Sequence, residues 1–187
     1  MKEQILNYKQ KLLKTLEDED LYLKIEKLSE EIKTCWKNKK YIYICGNGGS
    51  AGNAMHIAND LTYGAGIANK AGIRIEALSS NPAVLTCLAN DLGYENIYSE
   101  QLKVKANPDD LLIVLSGSGN SQNVVNALET GNDLKMKTFS ILGFTGGKCL
   151  KISQNAIHCK INDMQISEDL QLIIMHMIMQ KLSRIKL

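Results

Sequence analysis

The chain has 187 residues, 44% hydrophobic and 22% charged, and its 22 Lys+Arg against 20 Asp+Glu leave a net charge of +2. That length predicts one domain with a core large enough to stand without disulfides. So small a net charge gives no broad basic surface, so no nucleic-acid partner is expected. Near-average charge and only two prolines exclude a disordered or fibrous chain. The five cysteines, odd in number and without CxxC spacing, indicate neither a disulfide framework nor a zinc ribbon, and a reducing cytoplasm is the expectation. Met1-Lys2-Glu3-Gln4 builds no apolar signal core. The most apolar run, Leu170 to Leu182, contains Gln171, His176, Gln180 and Lys181 and is too short and polar to cross a membrane.

In chain order, Ile5, Leu12, Leu13 and Leu16, then Leu21, Ile25, Leu28, Ile32 and Trp36, recur at helical spacing over the first forty residues. The acidic Asp18-Glu19-Asp20 breaks the pattern, with Asp20 as the expected N-cap of a second helix. These helices either cover their own sheet or pack on a neighbouring subunit. From Tyr41 the period changes to that of strands, expected at 41–45, 73–78, 111–115, 138–142 and 156–161, with helices at 51–61, 82–88, 121–135 and 168–184 between and after them. Alternating strands and helices predict an α/β chain with a parallel sheet covered on both faces. Residues 1–187 form one domain in this reading, a helical extension over 1–38 and an α/β core with a terminal helix over 39–187.

Two loops carry the first chemical signals. Gly46-Asn47-Gly48-Gly49-Ser50 lies between a strand and a helix, and Ser116-Gly117-Ser118-Gly119-Asn120-Ser121 does the same further on. Glycines permit close backbone approach, and a helix N-terminus presents free N–H groups to an anion. Each loop alone also reads as a plain turn, with Ser121 a plain N-cap. Together they open at the same carboxyl edge of the sheet, which favours phosphate or sugar phosphate. Neither is a P-loop or a GxGxxG motif. Asn90-Asp91 alone reads as a helix-end turn.

His56 and Asp60, at i and i+4, share a helix face at the spacing that presents two ligands to a metal, although a half-buried ion pair has the same spacing. Glu168 and His176 are eight residues apart on the last helix, about 12 Å of rise and about 80° beyond two full turns, a spacing that does not by itself nominate a pair. Gln171 competes as a polar lining residue. Met175, Met177 and Met179 around His176 read as core or interface, which makes His176, like His158, a core histidine on pattern alone.

The combination of Gly46-Asn47-Gly48-Gly49-Ser50-Ala51, His56, Asn90-Asp91 and Ser116 to Ser121 resembles the phosphoheptose isomerases of the sugar isomerase (SIS) fold over essentially the whole chain. The resemblance implies a single SIS domain with a flavodoxin-like five-stranded parallel sheet. It further implies a homotetramer with sites at subunit junctions, bound zinc, and conversion of sedoheptulose 7-phosphate to an aldoheptose 7-phosphate for surface polysaccharide. By position, Asn47, Gly48, Gly49, Ser50, Asn90 and Asp91 match substrate-contacting residues, and Ser116, Gly117, Ser118 and Ser121 match the phosphate loop, where Gly117 replaces a usual Thr. His56 and His176 fall on the zinc histidines, from helices expected to meet across two protomers.

The sequence departs from that pattern at the carboxylates. Asp60 stands where the family has a Glu that serves as base, and Glu168 stands where it has a Gln. Shortening the base by one bond withdraws it by about 1 Å, enough to cost roughly a hundredfold. The expected metal set is therefore His56, Asp60, Glu168 and His176, with Asp60, Glu168 and His176 handling protons and the base role shifted toward Glu168. The Arg usual after the His56 helix is missing at Thr62-Tyr63-Gly64, leaving Arg74 or Lys70 as substitutes. The rival readings are an isomerase of another sugar phosphate and a non-catalytic SIS module that binds sugar phosphate and regulates a partner.

Overall fold

A computed structural model describes residues 1–69 and 71–186. Five strands, β1 (Ile42–Cys45), β2 (Ile75–Ala77), β3 (Leu111–Ser116), β4 (Lys137–Leu142) and β5 (Asn155–His158), pair in the order β2-β1-β3-β4-β5 with every pair parallel. Among the described residues, eight α-helices accompany them: α1 (Lys2–Leu16), α2 (Glu19–Lys37), α3 (Gly49–Tyr63), α4 (Pro82–Leu92), α5 (Ser99–Lys105), α6 (Gln122–Asp133), α7 (Gly147–Ile152) and α8 (Met164–Leu182).

The strand residues alternate between two cores. Ile42, Ile44, Leu111, Ile113, Leu115, Phe139, Ile141 and Ile157 face a layer made by α2, α3 and α8. Tyr43, Cys45, Leu112, Val114 and Leu142 face the opposite layer, built around α5, α6 and α7. Burial on both faces is why β1 and β3 read as unbroken apolar runs rather than as alternating patterns.

The expected elements are present with shifted ends. Asp18, not Asp20, caps α2: its side chain accepts from the Asp20 N–H, which leaves Asp20 in the first helical turn, in an ion pair with Lys24 at 2.8 Å. β2 and β5 are shorter than expected because only residues 75–77 of β2 and 155–158 of β5 find ladder partners, so β5 starts one residue early and ends three residues short. α4 runs on through Asn90-Asp91 to Leu92, and Gly93 ends it at φ 90°. α8 begins at Met164, where the Asp163 side chain accepts from the Ile166 N–H. The short helices α5 and α7 were not expected. Each spans fewer than two full turns and carries too little periodicity to be read.

α2 covers the chain's own sheet, and α1 contributes no buried residue. Polar links tie α1 to the start of α8: Lys11 Nζ lies 3.1 Å from Asp163, and the Tyr8 hydroxyl donates to Asp169. The Lys11 bond holds the Asp163 carboxyl below the usual range, and the Asp169 bond pushes the Tyr8 phenol up to about 12. All five cysteines are free, and burial pushes the Cys35, Cys149 and Cys159 thiols up to about 12. Among the described residues, no helix is long and apolar enough to cross a membrane.

Ile113 lies fully buried at the centre of β3. Ile113→Ala should therefore lower stability by about 2–5 kcal/mol, read from the denaturant midpoint.

Candidate active site

Strand order reverses beside β1: the chain leaves it toward β2 on one side and returns to β3 on the other. Open α/β sheets bind ligands at such a switch point, beyond the carboxyl ends of the strands. The two loops singled out in the sequence sit there, 46–48 between β1 and α3 and 117–121 between β3 and α6. Between them opens a concavity of about 270 Å³, lined by Asn47, Gly48, Gly49, Ser50, Ser116, Gly117, Ser118 and Ser121, together with Leu115, Met164 and Glu168.

The loop residues divide into those that build the cradle and those left for a ligand. The Ser116 hydroxyl accepts from the Gly119 N–H at 3.0 Å and so shapes the loop from within. Gly119 has φ +66°, and a Cβ there would lie 2.0 Å from the Gly146 carbonyl oxygen, so only glycine passes. Ser121 caps α6 by backbone alone, and its hydroxyl makes no capping bond. Asn47 is clamped: it exchanges two 2.8 Å hydrogen bonds with Asn123 of α6 and accepts a third from Tyr94 at 3.0 Å. The buried Tyr98 hydroxyl donates to the Gly46 carbonyl, and burial raises its pKa above the ordinary phenol value. Asn123, Tyr94 and Tyr98 were missed in the sequence because each is placed by tertiary contact and carries no spacing signal.

Glu168 and Met164 reach into the cradle from α8. An ideal Cβ on Gly49 would lie 2.3–2.5 Å from the Glu168 carboxylate, so the carboxylate rests on the bare backbone at the start of α3. An ideal Cβ on Gly117 would lie 2.5 Å from the Met164 sulfur, so the thioether fills the place of a side chain at that position.

Further along the same two helices, His56 and His176 bring their Nε2 atoms to 2.9 Å, and Asp60 Oδ2 lies 3.4 Å from each. The rings meet edge to face at 5.1 Å between centroids. This convergence occurs within one chain, and no second protomer is needed to bring the imidazoles together. His176 is also no core residue: its side chain is 39% exposed, against 50% for His56 and 20% for Asp60.

Two imidazoles and a carboxylate are a credible zinc set. Tetrahedral bonds of about 2.0–2.1 Å place ligand atoms about 3.3 Å apart, near the Asp60 separations, while the His–His contact would open slightly. These three residues form a group whose donor atoms lie within 4.8 Å of one another. Glu168 is not one of them. It stands eight residues before His176, about 80° around α8 and about 12 Å along it, and faces the glycine loop instead.

Other expected residues lie elsewhere. Asn90 and Asp91 are exposed on the last turn of α4, bonded to each other at 2.8 Å and absent from the lining of the concavity. Arg74 donates to the Lys39 carbonyl and stacks over Tyr41, at the amino ends of the strands and so at the opposite edge of the sheet. Lys70 lies outside the described residues. Gln171 is buried, and its amide joins α8 to α3. His158 bonds the Phe144 carbonyl at 2.9 Å, a structural role.

The SIS-domain sequence pattern matches residues 5–143. A phosphoheptose isomerase of Helicobacter pylori strain P12 is 36% identical over 186 residues, covering 98% of this chain and 94% of that protein. The chain belongs to the phosphoheptose isomerase family. A second family member, from Aliarcobacter butzleri, is 36% identical over 83% of this chain and 82% of its own length. The fold of solved family members is the same: the structure from Neisseria gonorrhoeae superposes with a TM-score of 0.89 at 22% identity over 98% of this chain and 99% of that one. The Francisella tularensis structure gives 0.88 at 23% identity, covering 98% and 96%.

The contact between Gly49 and Glu168 has a direct consequence for stability. Gly49→Ala should destabilise by about 1–3 kcal/mol through overpacking, and Glu168→Ala in the same chain should restore most of the loss, measured by thermal melting.

Proposed function

We propose that this family member interconverts sedoheptulose 7-phosphate and D-glycero-D-manno-heptose 7-phosphate by aldose–ketose isomerisation. The observation that carries the reading is the pairing, on α3 and α8, of an anion cradle with a His–Asp–His cluster. Ser50 and His56 are six residues apart on α3, about 9 Å of helix rise. That separation suits a substrate whose phosphate stands several carbons from its reacting carbonyl.

The serine loop would hold the phosphate through backbone N–H groups and hydroxyls at the α6 N-terminus, without a lysine. Anchored there, the substrate's binding energy holds C1 and C2 in register with the proton-handling groups. A base removes the proton from the carbon beside the carbonyl to give an enediol, and an acid returns it at the neighbouring carbon. Asp60 and His176, at the reacting end, are the proposed proton-handling groups; Glu168 faces the cradle that would hold the phosphate, about 12 Å along α8 from His176, and so stands away from C1 and C2. His56, Asp60 and His176 would hold zinc, which when bound supplies Lewis-acid polarisation of the sugar carbonyl.

The proposal extends to the assembly and setting. α4 buries no residue, and Tyr63, Ile67, Leu92 and Tyr94 are exposed apolar groups, surface that a homotetramer with sites at its junctions would cover. Five free thiols suit a cytoplasmic protein, and a heptose phosphate product suits capsule or lipopolysaccharide synthesis. Residues 1–187 act as one SIS domain in this reading.

Incubation with sedoheptulose 7-phosphate in deuterated buffer, followed by NMR, should show aldose formation with deuterium entering at C2, and a chelator should suppress it. Asp60→Asn should lower kcat by about 10²–10⁴-fold. If Glu168→Gln abolishes turnover while Asp60→Asn leaves it intact, the base is Glu168. His56→Ala and His176→Ala should each lower the zinc content of the purified protein, read by elemental analysis.

A further inference from the structure

A line of side-chain amides runs between α3 and α8 beside the cradle. Asn53 Nδ2 donates to the Glu168 backbone carbonyl at 2.9 Å and to Gln171 Oε1 at 3.0 Å. Gln171 Nε2 donates to Ser50 Oγ at 3.0 Å. Gln171 and Ser50 are 1% and 3% exposed, and Ser50 lines the concavity.

The order of donors and acceptors in this line is forced from one end. A backbone carbonyl can only accept, so Asn53 must present its NH₂ group to Glu168. The same NH₂ group faces Gln171, which must answer with its oxygen. Gln171 therefore has only its NH₂ left for Ser50, and the serine oxygen must accept. An unconstrained hydroxyl rotates to donate or accept as its neighbours require. Here one lone pair is taken by the Gln171 amide, which keeps the hydrogen from pointing back at residue 171, and among the described residues no group accepts the Ser50 hydrogen.

We infer that Asn53 and Gln171 are positioning residues that fix the Ser50 hydroxyl as a donor into the cradle, selecting a substrate oxygen that accepts. The inference rests on the sugar-phosphate reading above and deepens it. Neither amide touches the substrate, and both act through Ser50. The device also explains a buried glutamine between two helices, since an apolar residue would pack there without fixing any direction. A lone buried amide carries a desolvation cost unless every polar atom is paired, and here both ends are.

The test compares substrate affinity in wild type, Ser50→Ala, Gln171→Glu and the double variant, using calorimetric titration of sedoheptulose 7-phosphate with KM and kcat alongside. Gln171→Glu keeps the shape but turns both ends into acceptors, so the Ser50 hydrogen is drawn back to residue 171. Each single change should weaken binding about tenfold, the effect of one hydrogen bond, with KM moving more than kcat. The double variant should bind no more weakly than Ser50→Ala alone.

Asn53→Asp approaches the line from the other end. It leaves no donor for Gln171, whose amide must turn and accept from Ser50, so the same affinity loss and the same non-additivity with Ser50→Ala are expected. This arm keeps the test intact if Gln171→Glu does not fold. An active wild type whose losses multiply to about a hundredfold in the double variants overturns the relay and reduces the amides to helix packing. A wild type that neither binds nor converts sedoheptulose 7-phosphate overturns the functional reading and the relay together.

Discussion

The seam between α3 and α8 governs everything chemical in this protein. α3 is fixed at its start by the β1 loop and along its buried side by Ala54, Ile57 and Leu61. α8 crosses the same layer through Ile166, Leu170, Ile174 and Ile178. Because helices present side chains every third or fourth residue, one register of this seam aligns three polar contacts in series: Gly49 with Glu168, Asn53 with Gln171, and His56 with His176. A slip of one residue in either helix would rotate its side chains by about 100° and break all three. The apolar contacts supply cohesion, and the buried amides specify which register is adopted.

A division of labour follows along the seam. At its head, bare glycine backbone and serine hydroxyls form a cradle whose lining holds no Lys or Arg, so the groups it presents are dipoles rather than cations. One to two turns on, two imidazoles and a carboxylate supply groups that exchange protons or bind a metal. Glu168 belongs to the head by position and to the chemistry by type. The family pattern therefore did not place it. A glutamine-to-glutamate change at that position puts charge against the start of α3, where the helix dipole favours an anion.

The parallel sheet was legible because unbroken apolar runs such as Leu111 to Leu115 have few other homes, and the two glycine-rich loops were legible because strand, glycine and helix follow each other directly. The His56–Asp60 pair was readable from helix periodicity, and its meeting with His176 was suggested only by resemblance, since no rule of spacing joins residues 120 apart. What stayed hidden depends on which side chain points at which. Asn123 looks like any helical asparagine until it closes on Asn47, and Gln171 looks like a lining residue until burial turns it toward Ser50. Asp18 and Asp20 are equally good caps by composition, and only the backbone at Asp18, extended at φ −72° and ψ 111°, decides between them.

The last feature to draw out is temporal. α8 follows all five strands in the chain, so a ribosome can release enough sequence to assemble the sheet and both flanking loops before α8 has emerged. Such a nascent product would possess the two loops that floor the concavity but neither Glu168 nor the second imidazole. A chain interrupted upstream of α8 loses Ile166, Leu170, Ile174 and Ile178 from the core together with Glu168 and His176, so the helix that completes the side-chain clusters is also the one that covers a face of the sheet.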